Sequence, residues 1–119
     1  MFKSFTFAFS GIASTIKSER NFKIHLVAAI CALLLGIYFK LPVVEFIILL
    51  LTITLVLCAE LLNTAIEKTI DISCGARLNA TAKLAKDAAA GAVFLTALNA
   101  VVVGILLFGK RVFVLLISG

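Results

Sequence analysis

Residues 43–71 read VVEFIILLLTITLVLCAELLNTAIEKTID, and this stretch decides the fold. Residues 43–62 are almost all apolar, and as a helix they would extend about 30 Å, which is the thickness of a bilayer's hydrocarbon core. The residues that follow carry charged and polar side chains at helical spacing. The stretch therefore predicts one long helix that crosses a membrane and continues into water.

The composition of the whole chain agrees with a membrane setting. Of its 119 residues, 63% are hydrophobic and only 14% are charged, whereas soluble domains are about 45–50% apolar and about 25% charged. We expect an all-α integral membrane protein of one domain, residues 1–119. The predicted parts are a surface helix at 1–20 and membrane spans at 24–40, 43–71 (with a cytoplasmic extension) and 85–108.

The N-terminal segment has an amphipathic pattern. Phe2, Phe5, Phe9, Ile12 and Ile16 recur at steps of three and four, which places them on one side of a helix. A helix of this kind beside a membrane span is typical of an element that lies in the interface plane. Packing of the same face against the other helices is the alternative.

The positive charges predict the orientation in the membrane. Eight lysine and arginine residues fall before the first span or between the second and third, against three elsewhere. The first group is Lys3, Lys17, Arg20, Lys23, Lys68, Arg77, Lys83 and Lys86, and the second is Lys40, Lys110 and Arg111. We therefore expect a cytoplasmic N-terminus and an outer C-terminus. The net charge of +5 is then explained by topology, and we expect no nucleic-acid partner.

The polar residues near the end of the stretch 43–71 lie on one face of the predicted helix. Glu60, Asn63, Glu67 and Asp71 fall within an arc of about 80° on a helix, and Glu67 and Asp71 lie about 10 and 16 Å beyond Glu60 along the axis. Ionisable residues at membrane depth are costly and are functional candidates by default. For Asp71, the alternative is a solvated residue on a helix that has left the membrane.

Two further charged clusters fall on the same predicted side of the membrane. One is Ser18-Glu19-Arg20-Asn21, and the other contains Lys86 and Asp87. Carboxylates that bind Mg²⁺, a lysine for phosphate and a carboxylate at lipid depth suggest phosphoryl transfer from a nucleotide to a lipid hydroxyl. Glu60 would be the base in that reaction. The alternative to a binding role for Lys86 and Asp87 is that they are only the charged residues that precede a membrane helix.

Three segments, at 19–25 (ERNFKIH), 59–71 (AELLNTAIEKTID) and 85–93 (AKDAAAGAV), resemble the prokaryotic diacylglycerol kinase family, and most closely its undecaprenol kinase branch. The resemblance implies a homotrimer in a bacterial plasma membrane, with active sites shared between protomers at the cytoplasmic interface. The chain departs from the family at residues 72–85, which lack the Glu-Tyr-His-like stretch common in relatives, and this region bears on how adenine is held.

The resemblance also implies roles for individual residues. Glu60 matches the catalytic base and Asn63 the motif asparagine, while Glu19 and Glu67 match the carboxylates that hold Mg²⁺ on ATP. The resemblance also implies contacts with the two substrates. The residues that match ATP-contacting positions are Asp71, Lys86 and Asp87. Those that match lipid-contacting positions are Phe9, Asn21, His25 and Glu60.

The leading hypothesis is an ATP-dependent kinase that converts undecaprenol to undecaprenyl phosphate. One alternative is a diacylglycerol kinase that makes phosphatidate. An alternative of another class is a non-enzymatic oligomeric scaffold or transporter whose acidic face lines an ion path. An ion path would need polar residues through mid-membrane, where this chain has few.

Overall fold

A computed structural model describes residues 1–75 and 77–119, and every regular element in those residues is a helix. The four helices, in chain order, are α1 (Phe2–Ser18), α2 (Arg20–Tyr38), α3 (Val43–Cys74) and α4 (Ala80–Ser118). In this described part of the chain, α2, α3 and α4 are each long and apolar enough to cross a membrane. The prediction of an all-α, multi-pass membrane protein is therefore confirmed.

Helix α4 is longer than the span predicted at 85–108. Its 39 residues extend about 58 Å at 1.5 Å per residue, nearly twice the hydrocarbon thickness. The charged pair Lys110 and Arg111 does not end the helix, because residues 112–117 are apolar and contain no proline or glycine. At its other end, the Asn79 side chain accepts a hydrogen bond from the Ala82 backbone N–H at 2.7 Å, which caps the helix.

A tight turn joins α2 to α3. Lys40 has a φ of 52°, and the Leu41 N–H donates to the Gly36 carbonyl at 3.1 Å, a pattern typical of a helix C-terminus closed by a left-handed residue. Pro42 then precedes α3, where its fixed φ suits a helix start. The two helices consequently form an antiparallel hairpin.

Gly36 allows the hairpin to close. A Cβ at this position would lie 3.2 Å from side-chain atoms of Phe46 and Leu49 and 3.3 Å from Leu41, which is too close without movement of those side chains. The absence of a side chain therefore lets α2 approach α3 directly beside the turn.

Helix α3 is the centre of the protomer. It packs against both α2 and α4, and α1 contacts α2 and α3. The buried core of Leu49, Leu107 and Phe108 lies near the hairpin turn, where Arg111 of α4 also pairs with Glu45 of α3 at 3.1 Å. This packing leaves the polar half of α3 at the opposite end of the molecule.

Candidate active site

The polar half of α3 contacts three other parts of the chain. Glu60 contacts α2, Lys68 contacts the corner between α1 and α2, and Asp71 contacts α4. Residues that are distant in sequence are thereby gathered at one end of the protomer. All three predicted charged clusters lie at this end.

Glu60 is the most buried of the predicted site residues. Its side chain is 5% exposed, and its Oε1 lies 3.2 Å from Nε2 of His25. Because a carboxylate at this depth needs a polar partner, the imidazole supplies one from the neighbouring helix. The His25 side chain is 26% exposed, so it lies between the buried acid and the surface.

Asn63 and Glu67, three and seven residues beyond Glu60 on α3, interact with each other. The Asn63 Nδ2 donates to Glu67 Oε1 at 3.3 Å. The Asn63 Oδ1 is buried and has no hydrogen-bond partner within residues 1–75 and 77–119. An unpaired buried acceptor is costly, and here it sits beside a carboxylate.

Glu19 lies at the corner between α1 and α2, in extended backbone with φ −108° and ψ 113°. This break in the helix turns the Glu19 side chain toward α3, where its Oε1 is 3.7 Å from Nζ of Lys68. The corner therefore brings a carboxylate from outside α3 to the helix that carries Glu67.

Two lysine–aspartate ion pairs involve α4, and one of them joins α4 to α3. Lys86 Nζ lies 3.0 Å from Asp71 Oδ1, and Lys83 Nζ lies 2.6 Å from Asp87 Oδ2. The hydrogen bond and negative charge of Asp87 raise the pKa of Lys83 above its usual range. Three of the four side chains are at least 60% exposed and Lys86 is 31% exposed, so the pairs add little stability and remain accessible to a ligand.

Two of the residues predicted to contact the lipid are exposed on the surface of the chain. Phe9 on α1 is 70% exposed, and Asn21 on α2 is also exposed. Within the described residues, no three His, Cys, Asp or Glu side chains form a group that could hold a metal. A metal ion at this end would therefore need oxygen ligands from another source, such as nucleotide phosphates, which is usual for Mg²⁺.

Two contacts were missed by reasoning from sequence. Lys68 was treated only as a topological charge, although it pairs with Glu19. The contact between His25 and Glu60 was also not predicted, since the two residues are 35 positions apart. The short connection between the predicted spans 24–40 and 43–71 was the available signal, because an antiparallel pair of helices places the start of α2 beside the second half of α3.

An apolar groove leads away from His25 between α2, α3 and α4. Its volume is about 470 Å³, and its walls include Ala28 and Ala32 of α2, Val56 of α3, and Ala100 and Gly104 of α4. His25 is the first residue of α2 in the lining, and the α2 wall continues to Leu35, about 15 Å further along the helix. The groove thus runs through the spanning region and ends at His25, which contacts Glu60.

Comparison with known proteins identifies the class of protein to which this membrane fold and acidic site belong. A family model described as prokaryotic diacylglycerol kinase matches residues 6–108, and the chain belongs to this family. Two curated relatives match it. One is the undecaprenol kinase of Bacillus subtilis, 44% identical over 107 residues, which are 90% of this chain and 86% of the relative.

The second relative is a diacylglycerol kinase from Synechocystis sp., 40% identical over 101 residues. The match covers 85% of this chain and 58% of that relative, so the chain spans little more than half of its length. Both relatives are lipid kinases by name. The predicted family membership and the predicted enzyme class, a lipid kinase, are confirmed.

Proposed function

We propose that this protein is an ATP-dependent kinase that transfers the γ-phosphoryl group of ATP to the hydroxyl of undecaprenol. The observation that carries the proposal is the buried carboxylate of Glu60, which contacts His25 at the end of an apolar groove and is followed on α3 by charged side chains. The similarity to an undecaprenol kinase over 90% of the chain supports the choice of lipid.

The lipid side of the site follows from the groove. A long apolar tail in the groove would bring a terminal hydroxyl to His25 and Glu60. The bond between the lipid oxygen and the γ-phosphorus forms as the bond from that phosphorus to ADP breaks. Glu60 accepts the hydroxyl proton, which is the role of a general base.

The nucleotide side would be held by groups at the α1–α2 corner, on α3 and on α4. Glu19 and Glu67 would supply carboxylate oxygens, and Asn63 Oδ1, which has no partner within the described residues, would supply an amide oxygen. Together with phosphate oxygens, these donors fit Mg²⁺. When bound, Mg²⁺ neutralises charge on the phosphate oxygens. Lys86 would contact phosphate, with Asp71 and Asp87 at its sides.

We also propose a homotrimer with its sites facing the cytoplasm. The two ends of the protomer differ in charge: eight of the eleven lysine and arginine residues belong to the end that carries Glu60, which supports a cytoplasmic location for that end. A single protomer has too few helices to enclose several carboxylates, which supports sites completed by a neighbouring copy.

Diacylglycerol is the second candidate acceptor. The family description and the Synechocystis relative favour it, and the chemistry at the hydroxyl would be the same. The alternative of a non-enzymatic scaffold or transporter has no support from these comparisons, because both relatives are kinases.

The test offers γ-labelled ATP to the purified protein with undecaprenol and with diacylglycerol in parallel. We expect labelled undecaprenyl phosphate, with a larger kcat/KM for undecaprenol than for diacylglycerol. A preference for diacylglycerol would move the assignment to the second candidate, and the absence of any labelled lipid would overturn the kinase proposal.

A further inference from the structure

His25 and Glu60 form a specific contact between α2 and α3. The two side chains come from different helices, and Oε1 of Glu60 lies 3.2 Å from Nε2 of His25. Within residues 1–75 and 77–119, no other charged side chain lies within ion-pair distance of Glu60. The imidazole is therefore the group that decides the electrostatic surroundings of this carboxylate.

The two oxygens of the Glu60 carboxylate would have different roles in catalysis. A general base must present one free oxygen to the proton that it accepts, and its geometry must be held in advance. Glu60 has several rotatable bonds, so without a partner the side chain could adopt several rotamers. A contact that fixes Oε1 leaves Oε2 as the oxygen available to the substrate.

Histidine suits this task chemically. A ring N–H at Nε2 is a hydrogen-bond donor in one neutral tautomer and in the protonated ring. A donor to a carboxylate forms a charge-assisted hydrogen bond, which is stronger than a neutral one. The converse arrangement is known, in which a carboxylate orients a catalytic imidazole through a hydrogen bond.

We propose that His25 is a positioning residue for Glu60: its Nε2–H holds Oε1, and the other carboxylate oxygen is thereby directed to the lipid hydroxyl. The inference rests on the proposed kinase function. It assigns His25 a role in turnover, distinct from the lipid contact that the family resemblance implies. The proton that leaves the hydroxyl goes to Glu60, and His25 neither gains nor loses a proton in the step.

The position of His25 agrees with this role. The residue lines the groove, whereas Glu60 does not, so the imidazole separates the carboxylate from the apolar space. A tail in the groove would pass His25 before its hydroxyl reached Glu60.

Kinetics of two variants test the proposal in the full-length protein. His25→Leu keeps a side chain of similar bulk but removes the donor, and we expect kcat to fall about 10- to 100-fold, the range typical when an orienting partner is lost. The KM values for ATP and lipid should stay near those of the wild type. His25→Gln restores an N–H donor, and its kcat should recover to within about threefold of the wild type.

Several outcomes would overturn the proposal. Unchanged kcat in His25→Leu would exclude a positioning role, and an equal loss in His25→Gln would show that donation is not what matters. A change confined to the KM for lipid would make His25 a binding residue. Absence of lipid phosphorylation in the wild-type protein would instead reject the proposed function, so the two failures are distinguishable.

A spectroscopic measurement tests the contact independently of activity. His25 is the single histidine of the chain, so a ¹⁵N-histidine-labelled sample gives imidazole signals from this residue alone. Glu60→Gln should shift the Nε2 signal, whereas the matched change Glu45→Gln at the other end should not. Unchanged imidazole signals in Glu60→Gln would show that the two side chains do not interact.

Discussion

Glu60 and Asn63 lie less than one helical turn apart, yet the structure gives them different surroundings. The Glu60 carboxylate faces α2 and contacts His25, whereas Asn63 bonds within α3 to Glu67. The spacing of these residues was readable from the sequence, because helical periodicity fixes which side chains share a face. Their partners were not readable, since a partner on another helix depends on how the helices pack.

Glu19 and Glu67 are the carboxylates proposed to hold Mg²⁺. Glu19→Gln and Glu67→Gln each remove a negative charge from the proposed Mg²⁺ ligands. We expect each to raise the Mg²⁺ concentration needed for half-maximal activity about tenfold, which corresponds to roughly 1.4 kcal/mol. The measurement is activity against Mg²⁺ concentration at saturating ATP.

The matched control is Glu45→Gln, which removes a carboxylate that pairs with Arg111 at the opposite end. Its Mg²⁺ requirement should equal that of the wild type. If Glu19→Gln and Glu67→Gln behave like this control, neither residue is a metal ligand.

The helices show what sequence patterns can and cannot predict about an element. The predicted start of the second span at residue 43 coincides with the start of α3 at Val43, directly after Pro42. The end of α4 was harder to predict, because hydropathy marks where a helix leaves lipid and does not mark where it unwinds. Residues 112–117 carry no breaker, so the helix continues to Ser118.

The α2–α3 turn depends on close packing around Gly36. Gly36→Val introduces a branched side chain where a Cβ would already lie 3.2 Å from Phe46 and Leu49. Overpacking of this kind costs about 1–3 kcal/mol, and we expect a lower midpoint of unfolding in detergent.

Gly11→Val is the comparison for this change, because a Cβ at Gly11 would meet nothing within 4 Å. Its unfolding midpoint should stay close to the wild-type value. Equal midpoints for Gly36→Val and the wild type would show that α2 and α3 are not closely packed at the turn.

The whole protomer has two ends of different character. One carries Glu60, Glu19 and Lys86, and the other carries the hairpin turn with Glu45 and Arg111. Most of the large apolar side chains between these ends are exposed, as expected for a surface that contacts lipid or further copies of the chain. Composition predicted this surface, but composition does not specify which part of it meets another protein.

Orientation is testable with cysteine variants in a background where Cys31, Cys58 and Cys74 are replaced by alanine. Ser73→Cys and Ser118→Cys place a thiol at an exposed position at opposite ends. On intact cells, a membrane-impermeant maleimide should label the variant at 118 and leave the variant at 73 unlabelled. The reverse pattern would invert the proposed topology and remove the site from the cytoplasm.

Assembly is testable by native mass spectrometry of the protein released from micelles. We expect a mass three times that of the 12.7 kDa chain, because a neighbouring copy is proposed to complete each site. A fully active monomer would contradict the shared site.

Turnover of purified Glu60→Gln measures whether Glu60 is the base that accepts the lipid proton. Glutamine keeps the shape of the side chain but cannot act as a general base. The variant should fold and assemble like the wild-type protein, and its kcat with undecaprenol should fall at least about 100-fold, the lower end of what general-base catalysis contributes. Wild-type turnover in a folded Glu60→Gln protein would contradict the account.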